Sequence, residues 1–266
     1  MESMKVVLCN KLNEFDKKCD KYLLQNKGDD FLQKFKDNYE KLYYWEDTDE
    51  PAKMMSHYAQ AIMNITFFEE NKLVEKDFSV ANAIDKMQQI IDCLSDIDAI
   101  CREYTDEPLT LLGLEIAECL LWRRGALLYM YCATVEEKPN MSESDKKYFL
   151  KCLHSGINYL NMMINVRKPL VVPKKEQKMK EDMCFLLSEG IYSDTAVLGL
   201  MYAGEMCYWF KKYWSEELMS LSKDFDYRQL GKMFLEKYIK TVEGPLKGRG
   251  WNVTKAKELL VFLLDG

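Results

Sequence analysis

The chain has 266 residues and a net charge of −6, and 48% of its residues are hydrophobic while 30% are charged. This balance is that of a folded globular protein and excludes an intrinsically disordered chain. The acidic balance provides no overall attraction for nucleic-acid phosphates, so we expect no nucleic-acid binding. Only 6 prolines and 12 glycines interrupt the chain, which favours long helices over an all-β fold.

Cysteine usage and the lack of long apolar stretches indicate a compartment. The nine cysteines are scattered and contain no Cys-x-x-Cys pair, which predicts free thiols in the reducing cytosol. The first ten residues have no apolar run of signal-peptide length, and no stretch of 18 apolar residues is present. We therefore expect a soluble cytosolic protein without a transmembrane segment, whose association with membranes is indirect.

Apolar residues recur every three or four positions along the chain, which predicts helices. Capping residues at helix starts, among them Asp29 or Asp30 and Asp224 or Asp226, set the boundaries together with glycine and proline. In chain order, the predicted helices cover residues 8–22, 31–42, 51–65, 80–94, 109–133, 148–166, 179–187, 194–214, 226–242 and 254–264. A charged connection is expected at 71–77, and there is room for a short helix after 94.

The predicted fold class is all-α, an irregular multi-helix domain of about nine to eleven helices arranged in antiparallel pairs. No regular repeat is visible, so a solenoid is not supported. The helix over 109–133 is apolar on nearly all sides, which is typical of a buried helix. We therefore predict a single domain over residues 1–266 with its hydrophobic centre at 109–214.

No group of residues in the sequence is typical of a catalytic or metal site. Neither His57 nor His154 follows a glutamate by three positions, as a di-iron helical bundle requires. Phosphate-binding glycine loops and the Gly-x-Ser-x-Gly nucleophile motif are both absent from the sequence. The sequence thus predicts a protein that is not an enzyme and carries no cofactor or metal.

A tryptophan and two arginines, Trp122, Arg123 and Arg124, lie in the middle of the most hydrophobic predicted helix. Buried charge is costly unless it is paired, so these arginines must reach solvent or find carboxylates. Glu118 and Glu205 are the candidate partners. Two interpretations stay open: an internal charge network between two helices, or a protein interface, where Arg and Trp are favoured anchors.

The predicted helix over 194–214 is unusually rich in aromatic residues, among them Tyr202 and Trp209. Core packing explains most of these rings, but some can face a partner, and Trp251 near the C-terminus is a further candidate. Gly199 and Gly204 lie inside the same helix, where glycine costs about 1 kcal/mol relative to alanine. Close helix approach explains them, or else a ligand-binding gap between helices 109–133 and 194–214, as in a helical-bundle enzyme or a lipid carrier.

Six basic residues cluster around two prolines in the connection between two predicted helices. The interpretations are a solvated loop or a contact with anionic lipid or an acidic protein face. The residues are Arg167, Lys168, Lys174, Lys175, Lys178 and Lys180.

Four stretches of the sequence resemble those of a known family and occur in the same order along the chain. They are residues 67–74 (FFEENKLV), 122–132 (WRRGALLYMYC), 202–209 (YAGEMCYW), and 243–246 with 251–254 (EGPL and WNVT). Over about residues 55 to 263, the chain resembles the metazoan third, accessory subunit of the Mon-one–Ccz-one complex, the Bulli family.

The resemblance implies a role that composition cannot show. That complex is a guanine-nucleotide exchange factor for the late-endosomal GTPase Rab-seven, and its two longin-domain subunits hold the exchange site. The resemblance therefore implies a non-catalytic scaffold in the cytosol that is recruited peripherally to late endosomes and autophagosomes. The implied partners are the Mon-one and Ccz-one subunits, with Rab-seven bound directly or through them.

Overall fold

A computed structural model describes residues 3–46, 50–138, 141–169, 181–214 and 226–265. The described residues form ten α-helices and no strand, which confirms the predicted all-α class. The helices are α1 (Met4–Gln25), α2 (Asp30–Tyr43), α3 (Pro51–Val74), α4 (Ala83–Tyr104), α5 (Pro108–Glu136), α6 (Glu143–Val166), α7 (Glu181–Ser188), α8 (Asp194–Tyr213), α9 (Tyr227–Glu243) and α10 (Thr254–Leu264).

Local sequence signals explain most of the helix starts. The Asp29 side chain accepts hydrogen bonds from the N–H groups of Phe31 and Leu32, both at 3.0 Å, so it caps α2 as predicted. Asp226 caps α9 in the same way, and α10 has the predicted bounds. Such caps satisfy N–H groups that have no partner inside the helix.

Several helices differ from the sequence-based predictions. Helix α3 runs to Val74, so it includes part of the charged connection that was expected at 71–77. Helix α4 begins at 83 rather than 80 and runs to 104, so no separate short helix follows it. Its apolar stripe continues through the buried residues Ile97, Ile100 and Cys101, and this burial extends the helix. Helix α5 is interrupted at Gly113, whose φ of 71° lies in the left-handed region that glycine adopts without strain.

The chain divides into two compact units, residues 1–120 and 121–266, and the boundary falls within α5. The single domain expected from the sequence stays a prediction beside this division. In the first unit α3 packs against α1, α2 and α4. Its core includes Leu12, Phe35, Tyr58 and Met87, all almost fully buried.

Helix α8 is central to the second unit, where it packs against α6, α9 and α10. Glycines allow the close approach. A Cβ atom added at Gly204 would lie 2.5 Å from Leu235 Cδ2 in α9, and one added at Gly231 would lie 2.7 Å from Cys207 Cβ in α8. Interiors are close-packed, so these contacts leave no room for larger residues.

We expect Gly204→Ala to destabilise the protein by about 1–3 kcal/mol, because the added methyl group must displace the fully buried Leu235. Without the clash, alanine would instead stabilise the helix by about 1 kcal/mol. Urea unfolding of the single variants and of the double variant Gly204→Ala with Leu235→Val measures the coupling. Additive effects of the two substitutions would contradict this packing.

Candidate protein-interaction site

Four aromatic rings from α5 and α8 form a stacked column in the second unit. Tyr129 and Tyr202 stack with ring centroids 3.7 Å apart and planes within 6°. The ring centroid of Trp122 lies 5.6 Å from that of Tyr202, and the centroid of Trp209 lies 5.6 Å from that of Tyr129. The rings thus alternate between the two helices. Trp122, Tyr129 and Tyr202 are half-buried, whereas Trp209 is buried.

The column follows from a seven-residue spacing on both helices. Trp122 and Tyr129 are seven residues apart on α5, as are Tyr202 and Trp209 on α8. Seven residues make almost two helical turns, so both rings of each pair lie on one face. Offset or stacked aromatic pairs contribute about 0.5–1.5 kcal/mol beyond their buried area. The column therefore fixes the register of α5 against α8.

A buried carboxylate lies beside the column. The Glu205 side chain is 4% exposed, and its two oxygens have different partners. The Tyr129 hydroxyl donates to Oε2 at 2.9 Å, and Lys255 Nζ from α10 lies 2.5 Å from Oε1. Lys255 is itself 59% exposed, so the ion pair connects the interior with the surface. A buried charge requires this compensation to be tolerated.

The carboxylate also influences the tyrosines around it. Burial raises the pKa of Tyr129 well above its ordinary value, and the nearby Glu205 charge and the hydrogen bond to it raise the pKa further. Burial also raises the pKa of Tyr202, and the nearby Glu205 charge raises it further. Both hydroxyls therefore stay protonated at neutral pH, and Tyr129 acts as a donor to Glu205.

Both predicted arginines are buried in the second unit. Arg123 is 6% exposed and Arg124 is 4% exposed. The Arg124 guanidinium lies over the ring of Tyr159 in α6, 4.8 Å from its centroid, which is a cation–π contact. Their pairing with Glu118, which is half-buried in the first unit, or with Glu205 stays a prediction. Arg124 thus contacts α6 within the protein instead of extending into solvent.

Of the predicted tryptophans, Trp251 does not belong to the column. It lies before α10 and contacts Tyr238 edge to face at 6.5 Å, while the Tyr238 hydroxyl donates to the Asn252 carbonyl at 2.9 Å. Trp122 and Trp209 do belong to it. The sequence reasoning did not select Tyr129 or Lys255. The seven-residue spacing from Trp122 could have indicated Tyr129, whereas no local signal points to Lys255.

The in-helix glycines of α8 face filled space. An added Cβ at Gly199 would meet Met163 of α6, and one at Gly204 would meet Leu235 of α9. These contacts favour close helix approach over the ligand-binding gap that was the alternative interpretation. Among the residues that the structure describes, no group of three or more potential metal ligands occurs.

Only part of the basic segment lies within the described residues. The Arg167 guanidinium lies 5.4 Å from the ring centroid of Tyr192, whose hydroxyl donates to the Lys168 carbonyl at 2.7 Å. Lys174, Lys175, Lys178 and Lys180 lie outside the described residues, so the predicted lipid or acidic-partner contact stays a prediction. No helix in the described ranges is long and apolar enough to cross a membrane.

Comparison with known proteins gives a match over most of the chain. The model of the family described as RAB7A-interacting MON1-CCZ1 complex subunit 1 matches residues 26–264. A zebrafish (Danio rerio) protein of that name is 37% identical over 274 residues, which cover 97% of each chain. The human protein of that name is 38% identical over 80% of this chain and 78% of its own. No solved structure matches the chain.

These matches confirm the predicted resemblance to a subunit of the Mon-one–Ccz-one complex. They also correct its extent, because the family match begins at residue 26, whereas the sequence-based range began near residue 55. All of α1 lies outside the family match, which begins directly after it, and α2 lies inside the match. The family is described as subunit 1, and the equivalence with the fly protein Bulli stays a prediction.

We expect Tyr129→Phe to lower the free energy of unfolding by about 1–3 kcal/mol, because it removes a hydrogen bond from a buried carboxylate and keeps the ring. Tyr202→Phe is the matched control. Within the described residues the Tyr202 hydroxyl has no hydrogen bond, so we expect a change below about 0.5 kcal/mol. Urea unfolding at neutral pH measures both, and equal effects would contradict the assignment.

The raised tyrosine pKa values predict a loss of stability at alkaline pH. In the unfolded chain these hydroxyls ionise near pH 10, whereas in the folded chain they keep their protons to higher pH. The contribution of these two tyrosines to the free energy of unfolding is therefore constant below about pH 10 and falls as the pH rises further. Urea unfolding between about pH 8 and about pH 11 should show a shallower fall for the Tyr129→Phe, Tyr202→Phe double variant. An unchanged slope would refute the contribution of these two residues.

Proposed function

Because this chain belongs to the family of RAB7A-interacting MON1-CCZ1 complex subunit 1, we propose that it is an accessory subunit of a MON1–CCZ1 exchange complex. It would support activation of a late-endosomal Rab GTPase of the RAB7A kind, without itself catalysing nucleotide exchange. The observation that carries the proposal is the family match over residues 26–264, with zebrafish and human relatives named for the same two interactions.

A scaffold role is consistent with the chemistry of the described residues. The buried Glu205 side chain accepts a hydrogen bond from Tyr129 and forms an ion pair with Lys255, which is a structural arrangement. Both histidines have structural contacts: His57 Nδ1 lies 3.0 Å from Asn38 Oδ1, and His154 Nδ1 is hydrogen-bonded to the Tyr227 hydroxyl. These contacts favour a binding role over acid–base catalysis.

The half-buried part of the aromatic column is the candidate contact with a partner protein. Tryptophan and tyrosine are enriched among residues that dominate binding energy, especially where a rigid ring needs little ordering on binding. The stacking of Trp122 on Tyr202 holds the tryptophan in place before any partner arrives. An exposed cation, Lys255, lies at the Glu205 carboxylate beside these rings. A preorganised aromatic surface with a charged edge suits a lasting protein contact.

The expected site of action is the cytosolic face of late endosomes and autophagosomes, including those formed in mitophagy. We propose that the chain reaches these membranes through its protein partners. Vesicle flotation of the isolated chain with anionic lipid is the direct test, and strong binding without any partner would contradict recruitment through proteins.

Binding and exchange are measured separately. We expect the full chain to co-purify with MON1–CCZ1 and with RAB7A, and to leave the rate of GDP release from RAB7A unchanged when it is added alone. Exchange by MON1–CCZ1 provides the positive control. If the chain binds neither MON1–CCZ1 nor RAB7A, the proposal is refuted. If the chain alone accelerates GDP release, the non-catalytic part of the proposal is refuted.

We expect Trp122→Ala to weaken binding to MON1–CCZ1 by about tenfold or more, with Trp122→Phe restoring much of the affinity because a ring still stacks on Tyr202. Trp251→Ala is the matched control, since Trp251 is also half-buried but lies outside the column. Circular dichroism and urea unfolding establish that each variant is folded. A larger loss for Trp251→Ala than for Trp122→Ala would place the contact elsewhere.

A further inference from the structure

The first unit contains a groove of about 630 Å³ with lysines on its rim. Four lysines line it, Lys18, Lys72, Lys76 and Lys86, against only two carboxylates. The whole chain carries a charge of −6, so this surface opposes the overall sign. Leu73, Val80 and Ile90 provide apolar contact within the same groove.

Two of the four lysines are engaged by their own unit. Lys18 Nζ lies 2.5 Å from Glu69 Oε1, and the same oxygen accepts a hydrogen bond from Tyr22 at 2.7 Å. Lys72 lies over the rings of Phe68 and Tyr22, with its Nζ 4.0 Å and 4.9 Å from the two centroids. Glu69 is thereby neutralised, which leaves the groove with a net positive charge.

The other two lysines of the groove are not engaged in this way. Lys76 and Lys86 are exposed, and neither has an ion-pair partner among the residues that the structure describes. Lysine side chains with no internal partner can bind an incoming carboxylate without breaking a contact of the folded chain. The groove can therefore attract an anionic group at little conformational cost.

A strained turn shapes this edge of the groove. Asp77 and Phe78 have left-handed φ values of 46° and 52°, which non-glycine residues rarely adopt. The Phe78 N–H donates to the Leu73 carbonyl at 2.9 Å, and the Asp77 N–H donates to the Val74 carbonyl at 3.0 Å. These two bonds are those of a Schellman motif, and they bury Phe78 under the turn. Strained backbone of this kind clusters at binding sites, because the surrounding structure must hold it.

We propose that this groove binds an acidic amphipathic segment of a protein partner. Carboxylates of the partner segment would pair with Lys76 and Lys86, and an apolar side chain of the same segment would contact Val80. The lysines are spread around an apolar groove and are accompanied by Glu75 and Glu69. That distribution suits separate carboxylates better than one dense phosphate group.

The proposal rests on the proposed function, because the partner would be a protein of the same assembly. The test uses the full chain with two purified probes, the MON1–CCZ1 complex and RAB7A, in separate binding titrations. The variant is Lys76→Glu with Lys86→Glu. The matched control is Lys11→Glu with Lys27→Glu, which changes the net charge equally at two exposed lysines outside the groove lining.

We expect the groove variant to raise the Kd for at least one probe by about tenfold or more, and the control variant to change it by less than about threefold. The loss should shrink as the salt concentration rises, because salt screens exposed charges. Zero-length carbodiimide crosslinking joins an amine to a contacting carboxylate. In the wild-type complex it should link Lys76 or Lys86 to an aspartate or glutamate of the bound probe.

The remaining outcomes separate this proposal from the proposed function. If the wild-type chain binds neither probe, both the groove proposal and the proposed function are refuted. If it binds and the groove variant binds equally well, or crosslinks arise only at lysines outside the groove, the groove proposal alone is overturned. Vesicles of phosphatidylcholine with phosphatidylserine are the third probe. If the groove variant loses vesicle binding while both protein affinities persist, the groove contacts membrane and the proposal is also overturned.

Discussion

The buried carboxylate of Glu205 constrains the helices around α8, because its two oxygens bind residues of two other helices. It lies where α5, α8 and α10 meet and cannot remain charged there without compensation. Tyr129 supplies a hydrogen bond from one side and Lys255 supplies a charge from another. Tyr129 also stacks on the ring of Tyr202, so the donor to Glu205 belongs to the aromatic column as well. A shift of α5 or α10 along its axis would therefore break a polar contact as well as an apolar one.

Local signals in the sequence were sufficient for the helices but insufficient for the partners of the site. Asp29 was one of two residues predicted to cap α2, because an N-cap is recognised from neighbouring residues alone. The length of α4 was underestimated, because burial of Ile97 and Ile100 depends on the tertiary fold. Trp122 and Trp209 were selected as candidates by residue type. The pairing of the arginines with Glu118 or Glu205 stays a prediction. The described ion pair of Glu205 is with Lys255, 50 positions away in the sequence, and no periodicity encodes such a contact.

The aromatic column and the lysine-rimmed groove differ in the kind of protein contact that each suits. The column in the second unit offers rigid rings, which contribute to slow dissociation by excluding water around an anchor. The groove in the first unit offers exposed lysines, which mainly raise the association rate and fix the orientation of an acidic partner. Both are preorganised, the column by stacking and the groove by a turn with left-handed residues. An accessory subunit that holds several proteins together benefits from contacts of both kinds.

The close approach of α8 and α9 has an evolutionary consequence. Any side chain at position 204 is disfavoured while position 235 holds leucine, because a Cβ atom there would lie 2.5 Å from Leu235 Cδ2. Neither position is then free to vary independently. Among relatives that diverge at about 60% of their positions, the two should change together, with a larger residue at one accompanied by a smaller residue at the other. Covariation between positions 204 and 235 in an alignment of relatives would be direct evidence of this helix contact.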